Sequence, residues 1–280
     1  MFFQLSNPKE TFPFHFTGPG IHSGERCRIH VRPGEPSQRC RVVFCSGNNR
    51  IPASVDALSP DGYRATRLQN DRIQINTVEH LLFALFCYFD TARVVLDGPE
   101  IPILDGSAAR FTNAFASHSA RRPPRFFRIS RPMVIEQEGA IARIVPCDLN
   151  ESPRYEVQLA YPAPIGAMCC EVFPDRTNLE KEIAPARTFA LESDVDQLRA
   201  RGLARGGSLE NALVFGKDGP LNQEGMRFEN EPARHKMLDL IGDLSLLGSL
   251  PFAHMHITRP GHALNHRIVH ALVADARKSF

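Results

Sequence analysis

Residues 232–247 read PARHKMLDLIGDLSLL, the strongest structural signal in this chain. At about 100° per residue, five apolar side chains gather on one face of a helix: Met237, Leu240, Ile241, Leu244 and Leu247. Pro232 stands where the helix would begin, since its missing N–H costs nothing in the first turn. The pattern predicts a helix over Ala233–Leu247 with one face in the core.

The opposite face of this helix carries His235, Asp239 and Asp243 at positions i, i+4 and i+8. An imidazole and a carboxylate one turn apart can bind one metal ion, as the two histidines of His-x-x-x-His zinc sites do. The alternative is the solvent-exposed side of an amphipathic helix, and periodicity alone favours that interpretation. The spacing shows that this face is not core, but it does not distinguish water from a cleft.

A second polar group, NTVEH at residues 76–80, precedes an apolar run. Asn76 and Glu79 match a capping box at a helix N-terminus, which is a sufficient structural role for Glu79. The functional alternative makes Glu79 a general base beside a metal ligand at His80, which a helix N-terminus keeps neutral. The order Glu-His differs from the His-Glu-x-x-His of zinc peptidases, which argues against a peptidase.

Five further histidines lie near the C-terminus. His262, His266 and His270 recur every fourth residue, but three helical turns spread their rings over about 12 Å, too far for one ion. We expect His266 and His270 on the surface and His262 at the start of a helix. His254 and His256 share one face of a predicted strand, where the sequence offers no partners to complete a ligand set.

The composition is that of an ordinary globular protein, with 42% hydrophobic and 23% charged residues. A formal net charge of +2 provides no global field toward nucleic acid, so we expect no nucleic-acid partner. Met1–Thr11 lacks the pattern of a secretion signal, and the longest apolar run, Leu81–Phe89, is too short to span a bilayer. Seven irregularly spaced cysteines indicate reduced thiols. We therefore expect a cytoplasmic protein without a transmembrane segment.

Short strands and helices follow one another irregularly, which favours an α+β fold over a regular parallel sheet. The predicted strands are Cys27–Arg32, Arg41–Cys45, Arg93–Leu96, Ala140–Val145, Tyr155–Leu159 and Ala253–Ile257. The other predicted helices are Val78–Tyr88, Ala108–Ser117, Val195–Arg201 and Ala263–Arg277. Arg121–Arg125, RRPPR, predicts a linker near the middle, because its prolines fix φ and its arginines favour solvent.

Nine short stretches, in a fixed order from about residue 16 to residue 272, form a specific set. They are TGPGIHSG (17–24), NTVEHL (76–81), PEIPILDGSA (99–108), ARTF (186–189), RGL (201–203), GGS (206–208), RFE (227–229), RHKMLDLIGD (234–243) and GHALN (261–265). Together they resemble the UDP-3-O-acyl-N-acetylglucosamine deacetylase family of lipid A biosynthesis.

The resemblance implies a fold that pattern reasoning does not reach. It implies two α+β domains of similar sheet-plus-helices topology, with helices packed between the sheets and the active site at the domain interface. The domains would cover 1–122, with an insert near 44–72, and 126–280, with an insert near 191–214. The second insert would form a hydrophobic passage for an acyl chain. The polar stripe of the 233–247 helix would then line a cleft.

Residue by residue, the resemblance also implies a catalytic site. The family's zinc ligands fall on three residues: His80, His235 and Asp239. Two nitrogens, one carboxylate and an open fourth position are typical of catalytic zinc. Glu79 falls on the general base, and His262 falls on the general acid, with Asp243 as its orienting carboxylate.

The resemblance implies that three more residues act on the substrate, and one further residue is a separate candidate. Thr188 and Lys236 fall on stabilisers of the oxyanion, and Phe189 falls on a contact to the sugar, where Lys236 also binds. His22 is a candidate for substrate binding, with a turn residue as the alternative.

The implied protein is a zinc metalloamidase with Zn²⁺ as its cofactor, expected to be a monomer. It would hydrolyse the N-acetyl group of UDP-3-O-acyl-N-acetylglucosamine and release acetate. The alternative is a non-catalytic module of the same fold that binds a sugar nucleotide or a lipid, which would require the loss of a catalytic position.

Overall fold

The computed structural model describes residues 12–34, 41–60, 64–118 and 120–278, so Met1–Thr11 lies outside the described residues. The first half contains β1 (Phe14–Pro19), β2 (Arg26–Pro33), β3 (Val42–Ser46), β4 (Asn49–Pro52), β5 (Leu68–Gln69), β6 (Gln74–Ile75), α1 (Glu79–Tyr88), β7 (Ala92–Asp97) and α2 (Ala109–Ala116). The second half contains β8 (Phe126–Phe127), β9 (Met133–Gln137), β10 (Ala140–Pro146), β11 (Arg154–Ala160), β12 (Ala167–Val172), α3 (Leu179–Glu182), β13 (Phe189–Leu191), α4 (Glu192–Ala200), β14 (Leu213–Phe215), α5 (Glu231–Leu244), β15 (Leu250–Pro251), β16 (Ala253–Thr258) and α6 (His262–Lys278). No helix in these ranges is long and apolar enough to span a membrane.

Two five-stranded sheets repeat one topology. The strand order is β1-β2-β7-β3-β4 in the first sheet and β9-β10-β16-β11-β12 in the second. In both sheets the central strand pairs in parallel with the fourth strand of the order, β7 with β3 and β16 with β11. The remaining strand pairs of these two five-stranded sheets are antiparallel. The predicted α+β fold with two similar sheet-plus-helices halves is therefore confirmed.

Each sheet buries one face against helices. On β7, Ala92, Val94 and Leu96 are buried at every second position, and β16 shows the same alternation. Successive side chains of a strand point to opposite faces, so this pattern gives one apolar face per sheet. Most buried apolar side chains of both halves form one continuous cluster, and Ile165, Leu213 and Phe215 form a second, smaller one.

Helix α1 lies in the middle of the molecule and packs against α5. All of its residues except Phe86 are buried, as expected for a helix that is apolar almost all round. Gly242 of α5 makes the contact close, because a Cβ there would stand 2.4 Å from the carbonyl oxygen of Glu79. This packing brings the first turn of α1 against the polar stripe of α5.

The predicted strands and helices are all present, and their ends differ by at most three residues from those predicted. The sequence predicts none of the four edge strands, β1, β4, β9 and β12. An edge strand is paired on one side and partly exposed, so its alternation of apolar and polar residues is weaker. In β1, for example, Phe14 is the one fully buried residue.

The segment Arg121–Arg125 lies between α2 and β8, and therefore between the two large sheets. Strands β3 and β4 belong to the first sheet, although they overlap the range 44–72. Strands β13 and β14, which flank α4, pair with each other in a separate parallel sheet. The division into 1–122 and 126–280, with inserts near 44–72 and 191–214, stays a prediction.

Candidate metal centre and active site

Three potential metal ligands converge from the two central helices. His80 lies in the first turn of α1, while His235 and Asp239 lie one turn apart on α5. Asp239 Oδ1 is 3.6 Å from His80 Nε2 and 3.4 Å from His235 Nε2. One ligand atom from each residue lies within 4.8 Å of the other two. The fold therefore brings together the three side chains that the resemblance assigns to zinc.

The polar atoms of this group are available to a ligand. His235 Nδ1 lies 3.1 Å from the carbonyl oxygen of Ala186, so Nδ1–H donates there and Nε2 keeps its lone pair. Within the described part of the chain, His80 Nδ1 and Asp239 Oδ1 are buried without a hydrogen-bond partner. Buried polar atoms are nearly always paired, and two nitrogens with one carboxylate suit zinc. The donor set therefore fits a zinc ion.

The environment keeps His235 and Asp239 in the protonation states that a metal requires. Burial lowers the pKa of His235 to about 3, so its ring is neutral. Burial alone would raise the pKa of Asp239, but His235 and Lys236 outweigh it and hold that pKa well below its usual range. Lys236 Nζ donates to Asp239 Oδ2 at 2.8 Å, which also fixes the orientation of the carboxylate.

Glu79, the residue before His80, directs its carboxylate into the same cleft. Its Oε2 accepts a hydrogen bond from the backbone N–H of Thr66 at 3.1 Å, and its Oε1 lies 3.7 Å from His262 Nε2. Burial raises the pKa of Glu79 to about 7, against the opposing effects of His262 and His80. A carboxyl group with this pKa can take up and release a proton near neutrality.

The capping-box interpretation of residues 76–80 is wrong. Val78 precedes α1, and among the described side chains none caps the helix. Asn76 Oδ1 instead accepts from Arg67 Nε at 2.7 Å, while Asn76 Nδ2 donates to the carbonyl oxygen of Pro99 at 3.1 Å. Thr77 adopts a left-handed φ of 57°, so the chain turns sharply between Asn76 and the helix. Glu79 is therefore not used as a capping partner.

His262 and Asp243 form an ion pair on the other side of Glu79. His262 Nδ1 is 3.0 Å from Asp243 Oδ2, and its Nε2 is 3.7 Å from both Glu79 Oε1 and Asp239 Oδ2. Burial alone would lower the pKa of His262, but the three carboxylates outweigh it and raise the pKa to about 9. The ring is therefore protonated at neutral pH, with Nδ1–H donating to Asp243.

Sequence reasoning missed Thr66, which joins these groups. Its Oγ1 donates to Asp243 Oδ1, and it lies 3.1 Å from His262 Nδ1 and 2.9 Å from His266 Nε2. His266 is half-buried, so the prediction that it lies on the surface is wrong, whereas His270 is exposed as predicted. A single threonine in an irregular segment carries no periodicity or spacing signal that could have identified it.

Glu100 was also missed, although it belongs to the matching stretch 99–108. This buried carboxylate accepts from His22 N at 3.1 Å, Ser23 N at 2.8 Å, Ser23 Oγ at 2.7 Å and Thr77 Oγ1 at 2.6 Å. Gly20 leaves room for it, because a Cβ there would be 2.2 Å from Glu100 Oε2. Glu100 thereby ties the turn that carries His22 to the start of α1.

A cavity of about 630 Å³ opens beside the charged cluster. Its walls include the cluster itself and a set of apolar side chains from α4, β14 and the loop after β14: Val195, Leu198, Val214 and Leu221. A partly apolar cavity next to a polar cluster suits a ligand with a polar head and an apolar tail.

The remaining predicted substrate residues line this cavity. Thr188 is held by its N–H, which donates to the carbonyl oxygen of Gly106 at 2.7 Å. The Phe189 ring centroid lies 5.6 Å from Lys236 Nζ. His22 lines the cavity as well, and its Nδ1 accepts from the Ala204 N–H at 3.4 Å.

The arrangement of side chains in the cleft indicates the general class of enzyme. Two histidines and one carboxylate on facing helices, with His262 Nε2 within 4 Å of both Asp239 and Glu79, are typical of enzymes that carry out metal-assisted hydrolysis. The chain belongs to the UDP-3-O-acyl N-acetylglycosamine deacetylase family, whose model matches residues 11–274. The predicted resemblance is therefore confirmed.

Curated relatives named UDP-3-O-acyl-N-acetylglucosamine deacetylase match this chain over most of their length. A UDP-3-O-acyl-N-acetylglucosamine deacetylase of Syntrophotalea carbinolica is 36% identical, covering 94% of this chain and 86% of the relative. The enzyme of that name from Solibacter usitatus is 38% identical, covering 94% of this chain and 90% of the relative. The one from Nostoc sp. is 38% identical, covering 92% of this chain and 95% of the relative.

Proposed function

We propose that this chain hydrolyses the N-acetyl group of UDP-3-O-acyl-N-acetylglucosamine, releasing acetate, in lipid A biosynthesis. The main support for the proposal is that candidate metal ligands and candidate proton-transfer residues lie next to each other in one cavity. The donors His80, His235 and Asp239 adjoin the acid–base pair of Glu79 and His262, with Glu79 Oε1 and Asp239 Oδ2 each 3.7 Å from His262 Nε2. Both groups line a cavity with apolar walls, which suits an acylated sugar.

The proposed cofactor is Zn²⁺, held by His80, His235 and Asp239. A zinc ion at these donors would supply Lewis acidity toward the amide carbonyl and would make water a better nucleophile near neutral pH. The buried, unpaired Asp239 Oδ1, which lies 3.6 Å from His80 Nε2 and 3.4 Å from His235 Nε2, and the neutral ring of His235 support this assignment.

Two side chains are proposed to move protons. Glu79 takes the proton of the attacking water at its carboxylate, since the pKa of about 7 lets it serve as a base at neutral pH. An amine is a poor leaving group, so its nitrogen must be protonated before the C–N bond breaks. His262, whose Nδ1–H is held by Asp243, donates the proton on Nε2 to that nitrogen.

Other side chains are proposed to stabilise and bind. Burial alone would lower the pKa of Lys236, but Asp239 outweighs it and raises the pKa, so the ammonium stays charged and can stabilise a developing oxyanion together with Thr188. Phe189 and Lys236 would contact the sugar, with His22 beside them. The apolar lining of α4 and β14 would receive the acyl chain.

We further propose a cytoplasmic monomer with the substrate as its partner and with domains at 1–122 and 126–280. The net charge of +2 supports the absence of a nucleic-acid partner.

The test is acetate release from UDP-3-O-acyl-N-acetylglucosamine by zinc-loaded wild type and Glu79→Gln. We expect the variant to lose activity by about 10²- to 10⁴-fold, because loss of a general base typically has this effect. Its zinc content should equal that of the wild type. Glu136→Gln, at an exposed glutamate of β9, serves as the matched control and should keep full activity.

Two results would overturn the proposal. Wild-type activity in Glu79→Gln would exclude Glu79 as the base. Tight substrate binding by zinc-loaded wild type, without acetate release, would favour the alternative of a non-catalytic binding module.

A further inference from the structure

Cys147, Glu151 and His254 form a second cluster of metal-type donors, in the second half and apart from the cleft. Cys147 Sγ lies 3.7 Å from Glu151 Oε2, and His254 Nε2 lies 3.3 Å from the same oxygen. One ligand atom from each residue lies within 4.8 Å of the others. Local sequence shows no partners for His254, but the fold brings Cys147 and Glu151 beside it, so the expectation that nothing nearby completes a candidate ligand set is wrong.

The fold holds these residues in place from two sides. Strand β16 pairs with β10 so that His254 lies opposite Val145, and Cys147 follows the end of β10. The Cys147 N–H donates to the carbonyl oxygen of Phe252 at 3.3 Å, which ties the turn to β16.

Two hydrogen bonds close the turn that carries the carboxylate. Glu151 N–H donates to the carbonyl oxygen of Asp148 at 3.0 Å, and Asp148 N–H donates to Glu151 Oε2 at 3.0 Å. The turn therefore presents Glu151 toward His254 without help from a bound ligand. The nearest cation in the strand register, Arg154, pairs with Glu171 at 3.0 Å.

We propose that Cys147, Glu151 and His254 bind a thiophilic divalent cation, Zn²⁺ or Cd²⁺, as a site separate from the catalytic one. Ligands at about 2.0–2.3 Å from a tetrahedral zinc ion are about 3.3–3.8 Å apart. The distances from Glu151 Oε2 to Cys147 Sγ and to His254 Nε2, 3.7 Å and 3.3 Å, fall in this range. Cys147 is buried, whereas Glu151 and His254 reach solvent, so a cation can enter from the surface with water as its fourth ligand.

Binding exchanges a proton for the cation. Cys147 Sγ lies 3.6 Å from the carbonyl oxygen of Asp148 and 3.7 Å from Glu151 Oε2, so its one thiol proton is shared between two acceptors. A cation bound between Cys147 and Glu151 takes the place of that proton, which leaves to solvent as the thiolate–metal bond forms. Sulfur, nitrogen and oxygen together favour a borderline or soft metal over Mg²⁺ or Ca²⁺.

The test uses a spectroscopic signal that the catalytic ligands cannot produce. Zinc-loaded enzyme is titrated with Cd²⁺, and sulfur-to-cadmium charge-transfer absorption is followed in the ultraviolet. His80, His235 and Asp239 contain no sulfur, so exchange at that site adds no such band. We expect one cadmium per chain to produce the band and Cys147→Ser to abolish it.

Two further variants keep the test independent of folding effects at the buried cysteine. His254→Ala, at a partly exposed side chain, should weaken cadmium binding at least about tenfold, as losses in a metal site commonly do. Cys169→Ser, at an exposed cysteine of β12, should leave the band unchanged. All three variants should keep deacetylase activity, since none lies in the cleft.

The proposal is overturned if excess cadmium produces no band in wild type. It is equally overturned if the band persists in Cys147→Ser, or if His254→Ala binds cadmium as tightly as wild type.

Discussion

Thr66 contacts four ionisable residues of the cleft, and no sequence pattern predicts these contacts. Its hydroxyl reaches Asp243, His262 and His266, and its backbone N–H binds Glu79. The threonine thus touches the proposed base and the proposed acid at once, and it fixes the carboxylate that orients His262. We infer that Thr66 is a positioning residue for proton transfer.

Replacing Thr66 by valine removes the hydroxyl and keeps the shape of the side chain. A lost hydrogen bond to a charged partner costs about 1.5–3 kcal/mol, which corresponds to a fall in kcat of about 10- to 150-fold. KM and zinc content should change little, because neither the cavity wall nor the zinc donors are altered. Steady-state kinetics and metal analysis of Thr66→Val provide the measurement.

Thr66→Ser is the matched control for this prediction, since it restores the hydroxyl and should recover most of kcat. An equal loss of kcat in the serine and valine variants would show that packing of the methyl group, and not the hydrogen bond, is responsible.

At the scale of elements, the contact of α1 with α5 sets the distance between the proposed zinc ligands. Gly242 lies beneath the first turn of α1, where a Cβ would be 2.4 Å from Glu79 O and 3.0 Å from Glu79 C. Backbone atoms cannot move aside as a flexible side chain can, so α1 must shift if this position is filled.

Gly242→Ala should therefore separate His80 from His235 and Asp239. Overpacking of a tight contact typically costs about 1–3 kcal/mol of stability. We expect a lower melting temperature together with weaker zinc binding, measured by calorimetry and metal titration. In Gly18→Ala the new Cβ meets Pro102 at an ordinary 3.5 Å, so zinc affinity should be unchanged. Unaltered zinc affinity in Gly242→Ala would contradict the account.

The apolar wall formed by α4 and β14 bears on substrate choice. Val214 of β14 lines the cavity beside Val195 and Leu198. A larger side chain at this position would occupy space that an acyl chain requires.

Val214→Phe should lower kcat/KM for long-chain substrates about 10- to 200-fold relative to short-chain ones, because a misfit of this kind costs about 1–3 kcal/mol. Comparing a series of acyl lengths is the measurement. Val145→Phe, at an exposed valine on β10, is the control. An equal loss across all acyl lengths would argue against an acyl site here.

At the scale of the molecule, the proposed zinc ligands come from both repeated halves. His80 is supplied by the helix of the first half, and His235 and Asp239 by the corresponding helix of the second. An ion bound by all three would link the halves across their shared core, so metal binding and stability should be coupled.

Removing zinc should lower the melting temperature by about 10 °C, since binding at 1,000-fold above Kd contributes about 4 kcal/mol. Thermal unfolding in zinc and after chelation provides the measurement. His235→Ala should lose this difference, whereas His256→Ala, on the strand outside the cleft, should keep it. Equal melting temperatures with and without bound zinc would contradict coupling between the halves.

Local pattern was sufficient to predict much of this protein from sequence. Helix α5, with His235 and Asp239 one turn apart, follows from periodicity, because a helical face is set by residues three and four positions away. The central strands follow from alternation in the same way. The order of the short matching stretches indicates the family, and with it the proposed roles of Glu79 and His262.

Only the tertiary structure decided what faces those residues. Periodicity left the polar stripe of α5 open to water or to a cleft, and the packing of α1 on Gly242 determined that it is a cleft. Local sequence predicts that Asn76 caps the N-terminus of α1, yet its side chain hydrogen-bonds to Arg67 and to the carbonyl oxygen of Pro99. The contact of Thr66 with His266 and the proximity of Cys147 to His254 likewise arise from the packing of segments far apart in sequence. Local propensity does not predict contacts over such separations.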